Sequence, residues 1–170
     1  MRDTRGFDEF YRGTSIRMLR YGYGVVGNLN EAQDVVQEAY TRAWQHWRTV
    51  ARHPNPEAWL RLVIVRLAND RWRRLSRLRL VLLRTDRSEP APPPTEDRVV
   101  LLAALRRLPM TQRQALALHY LFDMPVADIA QETGVAVGTV KSWLSRGRAG
   151  IAAVLTGSPT RTGPRGENDE

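Results

Sequence analysis

Apolar residues recur along the chain at helical spacing, and no stretch shows the strict alternation of a half-buried strand. Phe7, Phe10, Tyr11, Thr14, Met18 and Tyr21 line one face of a predicted helix over 5–21, which Gly22, Gly24 and Gly27 then interrupt. Ala32, Val35, Val36, Ala39, Tyr40, Ala43 and Trp47 build the apolar face of a second helix, with Asn30 as its N-cap and Gln33 at the reciprocal capping position. The opposite face carries Asp34, Glu38, Thr41 and Gln45. Residues 48–55 read as a loop. Asn55-Pro56 then starts a third helix, with Asn as cap and Pro in the first turn. Leu60, Val63, Ile64 and Leu67 form its apolar line, and Arg66, Asn69, Arg73 and Arg77 align on the other side. The pattern leaves open whether this helix continues through Leu78–Leu83.

Pro90, Pro92, Pro93 and Pro94 favour extended polyproline geometry and mark a linker. Beyond it, Thr95-Glu96-Asp97 predicts a capped helix running to Leu108 and stopped by Pro109. Thr111 caps a further predicted helix to Phe122. A short helix follows Pro125 and ends at Gly134, and a last one runs over 138–155. The reading is an all-α fold of two small helical domains, residues 1–76 and 96–155, joined by a Pro-rich linker over 77–95. The tail, 156–170, is rich in Gly, Pro, Thr and acid and is expected to be disordered.

Composition narrows the function. The 170 residues contain no cysteine, which excludes a disulfide framework, a thiolate zinc site and a cysteine nucleophile. No apolar run approaches the roughly 18 residues that span a bilayer, and the first residues lack a signal-peptide pattern. A cytoplasmic protein without membrane insertion is expected. The net charge is +8, and 25 of the 26 basic residues are arginine. A GC-rich genome accounts for arginine over lysine, but not for where the charge sits. Between Arg61 and Arg84 there are eight arginines and one acid, Asp70, whereas Glu31 to Glu38 holds three acids and no base. The basic block suggests a polyanion, and the acidic block suggests a second, different partner. His46, His53 and His119 show no ligand spacing to any acid cluster, so no metal and no cofactor are inferred. No P-loop glycines or nucleophile–base pair point to an enzyme.

Residues 126–144 follow the grammar of a helix-turn-helix. Ala130 is small where a second helix crosses, and Gly134 supplies the left-handed turn. Val135, Val137, Val140 and Leu144 can pack the second helix onto the first, with Ile151 on the same side. Ser142, Ser145, Arg146 and Ala149 then point outward, flanked by Thr139 and Lys141, a set that suits a major groove. By itself the pattern also fits an ordinary helical hairpin.

Read together, the segments resemble one family. Glu31-Ala-Gln-Asp34-Val-Val-Gln37-Glu38-Ala-Tyr-Thr-Arg-Ala-Trp44 is similar to the second conserved region of bacterial RNA polymerase sigma factors. Pro56-Glu-Ala-Trp59-Leu60 and Asn69-Asp70-Arg71-Trp72-Arg73-Arg74 resemble their promoter −10 helix. Leu108-Pro109, Gln112-Arg113, Ile129-Ala130 and Gly138-Thr139-Val140-Lys141-Ser142 resemble their fourth region, which reads the −35 element. The short form with two domains and a linker is similar to the extracytoplasmic-function (ECF) group. Trp143 stands where arginine is usual, Gly147 where alanine is common, and Pro125 and Ala136 replace the usual serine caps.

The resemblance implies a factor, monomeric when free, that binds core polymerase and promoter DNA in the cytoplasm at the nucleoid. An anti-sigma factor is a further partner of the kind it implies. Asp34, Gln37 and Glu38, with Thr41 next along, would dock on the β′ clamp helices, and the β flap is a second contact. On the isolated helix, two like charges one turn apart are mildly unfavourable, and a basic partner would relieve them. Arg66, Asn69, Arg73 and Arg74 would contact −10 DNA, with Arg61 and Arg71 flanking. Asn69 fits either a base edge or a helix brace. The loop before this helix would capture an extruded base, with Trp47, His53 and Asn55 as suppliers. Trp44, Trp59 and Trp72 read as core rather than stacking platforms. Thr139, Lys141, Ser142, Ser145 and Arg146 are the −35 candidates. Each domain has a small footprint and the two are not held in register, so weak DNA binding by the free protein is expected. The competing reading, a stand-alone helix-turn-helix regulator, predicts tight binding without polymerase.

Overall fold

The computed structural model describes residues 4–82 and 96–157. The proline-rich stretch and the tail from residue 158 lie outside them. Among the described residues there are eight helices: α1 (Thr4–Val26), α2 (Leu29–Gln45), α3 (Trp47–Val50), α4 (Pro56–Leu82), α5 (Glu96–Arg107), α6 (Met110–Leu121), α7 (Val126–Thr133) and α8 (Val137–Leu155).

The first helix does not stop at Tyr21. It runs through Gly22 and Gly24 to Val26, and Gly22 makes room for α2 while Gly24 sits in ordinary contact with α6. A Cβ on Gly22 would lie 2.7 Å from Val36 Cγ2, and one on Gly24 would lie 3.6 Å from Ala117 Cβ. The break falls at Gly27, whose φ of 79° is in the left-handed region that glycine tolerates. The cap of α2 is Asn28, not Asn30: its Oδ1 accepts the Glu31 N–H at 3.1 Å. We expect Asn28→Ala to destabilise the protein by about 1 kcal/mol. Asn30→Ala should be close to neutral in the same thermal melts.

Other boundaries shift for local reasons. Trp47 and Val50 are buried, and they turn part of the predicted loop into α3. The third predicted helix, α4, continues to Leu82. Pro109 precedes the first turn of α6, so Thr111 lies inside that helix rather than capping it. Val137, at the head of α8, is 42% exposed rather than buried with Val140 and Leu144.

One core joins both halves of the chain. Met18, Tyr21, Val25, Val35 and Ile64 cluster with Leu118, Ile129, Val140 and Leu144, all essentially removed from solvent. The α1 helix is the shared element, packing on α2, α4 and α6. Tyr21 meets Phe122 edge-on at 5.8 Å. Arg61, on α4, is 3% exposed and donates two hydrogen bonds to Glu132 of α7, from Nε at 2.8 Å and Nη2 at 2.7 Å. Its guanidinium also lies 4.7 Å from the centre of the Phe122 ring. Burial alone would lower the Arg61 pKa. The Glu132 carboxylate, with Tyr21 and Glu57, outweighs that and raises it above its ordinary value. Arg106 Nε donates to Gly27 O at 2.6 Å, and Arg113 Nη1 to Val26 O at 3.2 Å. The two halves are therefore held in one arrangement here. The expected absence of a fixed register is corrected, and Arg61 belongs to this interface rather than to a basic surface.

Candidate protein and nucleic-acid interfaces

The amphipathic pattern of α2 buries its apolar face and leaves a polar ridge. Asp34, Gln37 and Thr41 are exposed and Glu38 is half-exposed. Thr41 Oγ1 turns back onto Gln37 O at 2.9 Å. The repulsion between Asp34 and Glu38 is already relieved inside the chain. Arg42 Nη2 sits 2.7 Å from Glu38 Oε1. Arg71 of α4 reaches Asp34 Oδ2 at 3.6 Å and Glu38 Oε2 at 3.5 Å. Arg71 thus faces the acids. Beside the ridge, a groove of about 720 Å³ runs between α1 and α2, lined by Phe7, Tyr11, Ile16, Leu19, Gln37 and Trp44 among others. Tyr11 and Ile16 are 47% and 67% exposed. Ile16 and Leu19 are off the apolar line read for this helix, and they are the sequence signs of this second apolar strip.

Along α4, Arg66, Arg73, Arg74 and Arg77 are exposed, and Asn69 is half-buried. Trp72 is 58% exposed, so it is not a core residue; Leu75 and Leu78 accompany it at the surface. Trp44 and Trp59 are half-buried, and Trp44 packs 5.0 Å from Phe7, centre to centre. At the start of α4, Asn55 Oδ1 accepts the Ala58 N–H at 3.0 Å, and the Asn55 N–H donates to His53 Nδ1 at 3.0 Å. These two exposed residues brace each other where the helix begins. Trp47 is only 7% exposed, so it cannot stack on a base as the sequence allowed.

The helix-turn-helix consists of α7, a left-handed Gly134 (φ 72°) and α8. Ile129, Ala130, Val140 and Leu144 close it. Lys141, Ser142, Ser145, Arg146 and Ala149 are exposed on α8, and Thr139 is half-buried. Trp143 packs against the core rather than replacing a DNA-facing arginine with a free indole. Gly147 is buried, and a Cβ there would lie 2.9 Å from Leu116 Cδ1, so its small size serves the contact of α8 with α6. Pro125 and Ala136 provide no side-chain cap. A further apolar hollow of about 640 Å³ opens between α1, α5, α6 and α8, with Leu101, Leu105, Tyr120 and Leu155 on its walls. Among the described residues, no three His, Asp or Glu side chains converge to hold a metal. No described helix is long and apolar enough to cross a membrane.

Sigma-70 region 2 matches residues 10–78, and Sigma-70 region 4 matches residues 98–150. The chain belongs to the sigma-70 family. Region 2 covers most of α1–α4 and region 4 most of α5–α8. This sigma factor is 35% identical over 135 residues to the ECF RNA polymerase sigma factor SigL of Mycobacterium tuberculosis, across 75% of this chain and 76% of that one. It is 30% identical over 151 residues to the RNA polymerase sigma-E factor of Streptomyces antibioticus, across 88% and 84%. The sigma factor RpoE of Bartonella quintana, solved with the anti-sigma factor NepR, shares the fold with a TM-score of 0.73 at 24% identity, covering 87% of this chain and 97% of that one. CnrH, solved with the cytosolic domain of CnrY, aligns at a TM-score of 0.63 and 20% identity, covering 92% of each chain. The protein is an RNA polymerase sigma factor of the ECF type and acts in transcription initiation.

Proposed function

We propose that this sigma factor docks on the β′ clamp helices through Asp34, Gln37, Glu38 and Thr41, with Tyr11 and Ile16 of the adjoining groove adding apolar contact. Arg66, Asn69, Arg73 and Arg74 engage the −10 element, and His53 and Asn55 receive a base extruded from it. Thr139, Lys141, Ser142, Ser145 and Arg146 read the −35 element. The hollow beside α5 is the seat for the β flap. The observation that carries this reading is chemical segregation. An acidic face on α2, an arginine stripe on α4 and a small polar face on α8 are all exposed around one shared core. A stand-alone regulator gives the acidic face and its groove no role.

The closed arrangement is the resting state of the free protein, and polymerase separates the halves so that each reaches its own promoter element. Once spaced by the enzyme, the second contact gains in effective concentration. The relative RpoE was solved with the anti-sigma factor NepR, and a partner of that class would act here by keeping the halves together.

Selection from a random promoter library by the reconstituted holoenzyme tests these assignments. We expect two short motifs at a constrained spacing. Arg146→Ala should relax preference at one −35 position, a loss of about 1–3 kcal/mol of discrimination if the arginine grips a guanine. A uniform loss over all sequences would place Arg146 on phosphate. Failure to enrich any motif would overturn the reading.

A further inference from the structure

We propose that Arg71 is a positioning residue that hands over from the polymerase-docking ridge to the promoter strand, and so couples core binding to −10 engagement. The inference rests on the assignments of α2 and α4 given above. Arg71 belongs to the arginine run of α4 but flanks its exposed stripe, and its guanidinium is turned onto the two acids of α2. The contacts are 3.6 Å to Asp34 and 3.5 Å to Glu38. Both exceed the 2.7–2.9 Å of a charge-assisted hydrogen bond. The three side chains are 34%, 66% and 40% exposed, so the pairing is also screened by water. Arg42, by contrast, grips Glu38 at 2.7 Å from the same helix. Arg71 is therefore the loosely held cation of the ridge.

A basic partner that hydrogen-bonds Asp34 and Glu38 directly takes the place of Arg71. The freed guanidinium has a destination already built. Arg74, three residues on, is its neighbour on the helix surface and is exposed in the proposed DNA stripe. Docking thus does two things with one exchange. It occupies the acids, and it adds a cation to the face that meets phosphate. Before docking, the same acids hold that cation away from DNA.

The test compares wild type, Arg71→Gln, Arg71→Lys and Arg42→Gln in two titrations. One measures affinity for core polymerase. The other measures holoenzyme affinity for a promoter recovered by the wild type, as a function of salt. Arg71→Gln removes an internal competitor, so core should bind about twofold to fivefold tighter. Holoenzyme carrying it should lose one phosphate contact, so the slope of log K against log salt should shrink by about 0.7–0.9. Arg71→Lys keeps a cation and should keep the slope. Arg42→Gln frees Glu38 without touching α4, so it should tighten core binding and leave the slope unchanged. A slope unchanged in Arg71→Gln, together with weaker core binding, would make Arg71 a brace between α2 and α4 and overturn the hand-over. Failure of the wild type itself to bind core would show that the docking assignment has failed, a result distinct from any change in slope among the variants.

Discussion

Glu132→Ala is expected to release region 4 from region 2. The substitution removes the two hydrogen bonds to Glu132 and leaves the buried Arg61 guanidinium with only the longer 3.7 Å pairing to Glu57. Breaking one side of a buried pair costs up to about 3–5 kcal/mol. Because the halves can part, the chain need not unfold to escape that cost; separation returns Arg61 to water. The closed population should therefore collapse while the helices persist. The protein has no cysteine, so Thr49→Cys and Gln131→Cys, both at exposed positions, give a clean dye pair across α3 and α7. Energy transfer should fall in Glu132→Ala with little change in far-ultraviolet circular dichroism. The double variant Arg61→Met with Glu132→Met should recover closure, since an apolar pair of similar volume avoids the stranded charge. High transfer in Glu132→Ala would mean that the apolar contact of α1 with α6, including Tyr21 on Phe122, holds the halves without the ion pair.

The second large effect concerns the acidic ridge. Asp34→Lys with Glu38→Lys should reduce affinity for core polymerase by about 100-fold or more, the loss of roughly 3 kcal/mol expected when central charges of an interface are made repulsive. The new lysines would also sit beside Arg71, so Asp34→Asn with Glu38→Gln is the gentler companion. It should weaken binding in the same direction without local repulsion. Surface plasmon resonance against sigma-free core measures both, and thermal melts verify the fold. Unchanged affinity in both double variants would remove the ridge from the docking surface.

How much of this was legible depends on whether the signal was local. The apolar face of α2, the glycine turn of the helix-turn-helix and the small Ala130 are local, and the sequence showed them. The cap of α2 is nearly local, but two asparagines compete two residues apart, and only the Asn28 Oδ1 contact with Glu31 decides. Gly22 and Gly24 look like helix breakers along the chain. Gly22 in fact admits Val36, which no local pattern reveals. Arg61 and Arg71 look like any other members of an arginine run. One is assigned by Glu132, 71 residues away, and the other by acids on a different helix. In an arginine-rich chain composition overstates the DNA surface, because some of the cations are spent on internal pairing.

The most direct measurement is run-off transcription with purified core polymerase on the selected promoter library. The account predicts specific transcripts only when both this protein and core are present, lost in Asp34→Lys with Glu38→Lys, and only weak DNA binding by the protein alone. Tight operator binding by the protein alone, with no transcript on adding sigma-free core, would contradict it.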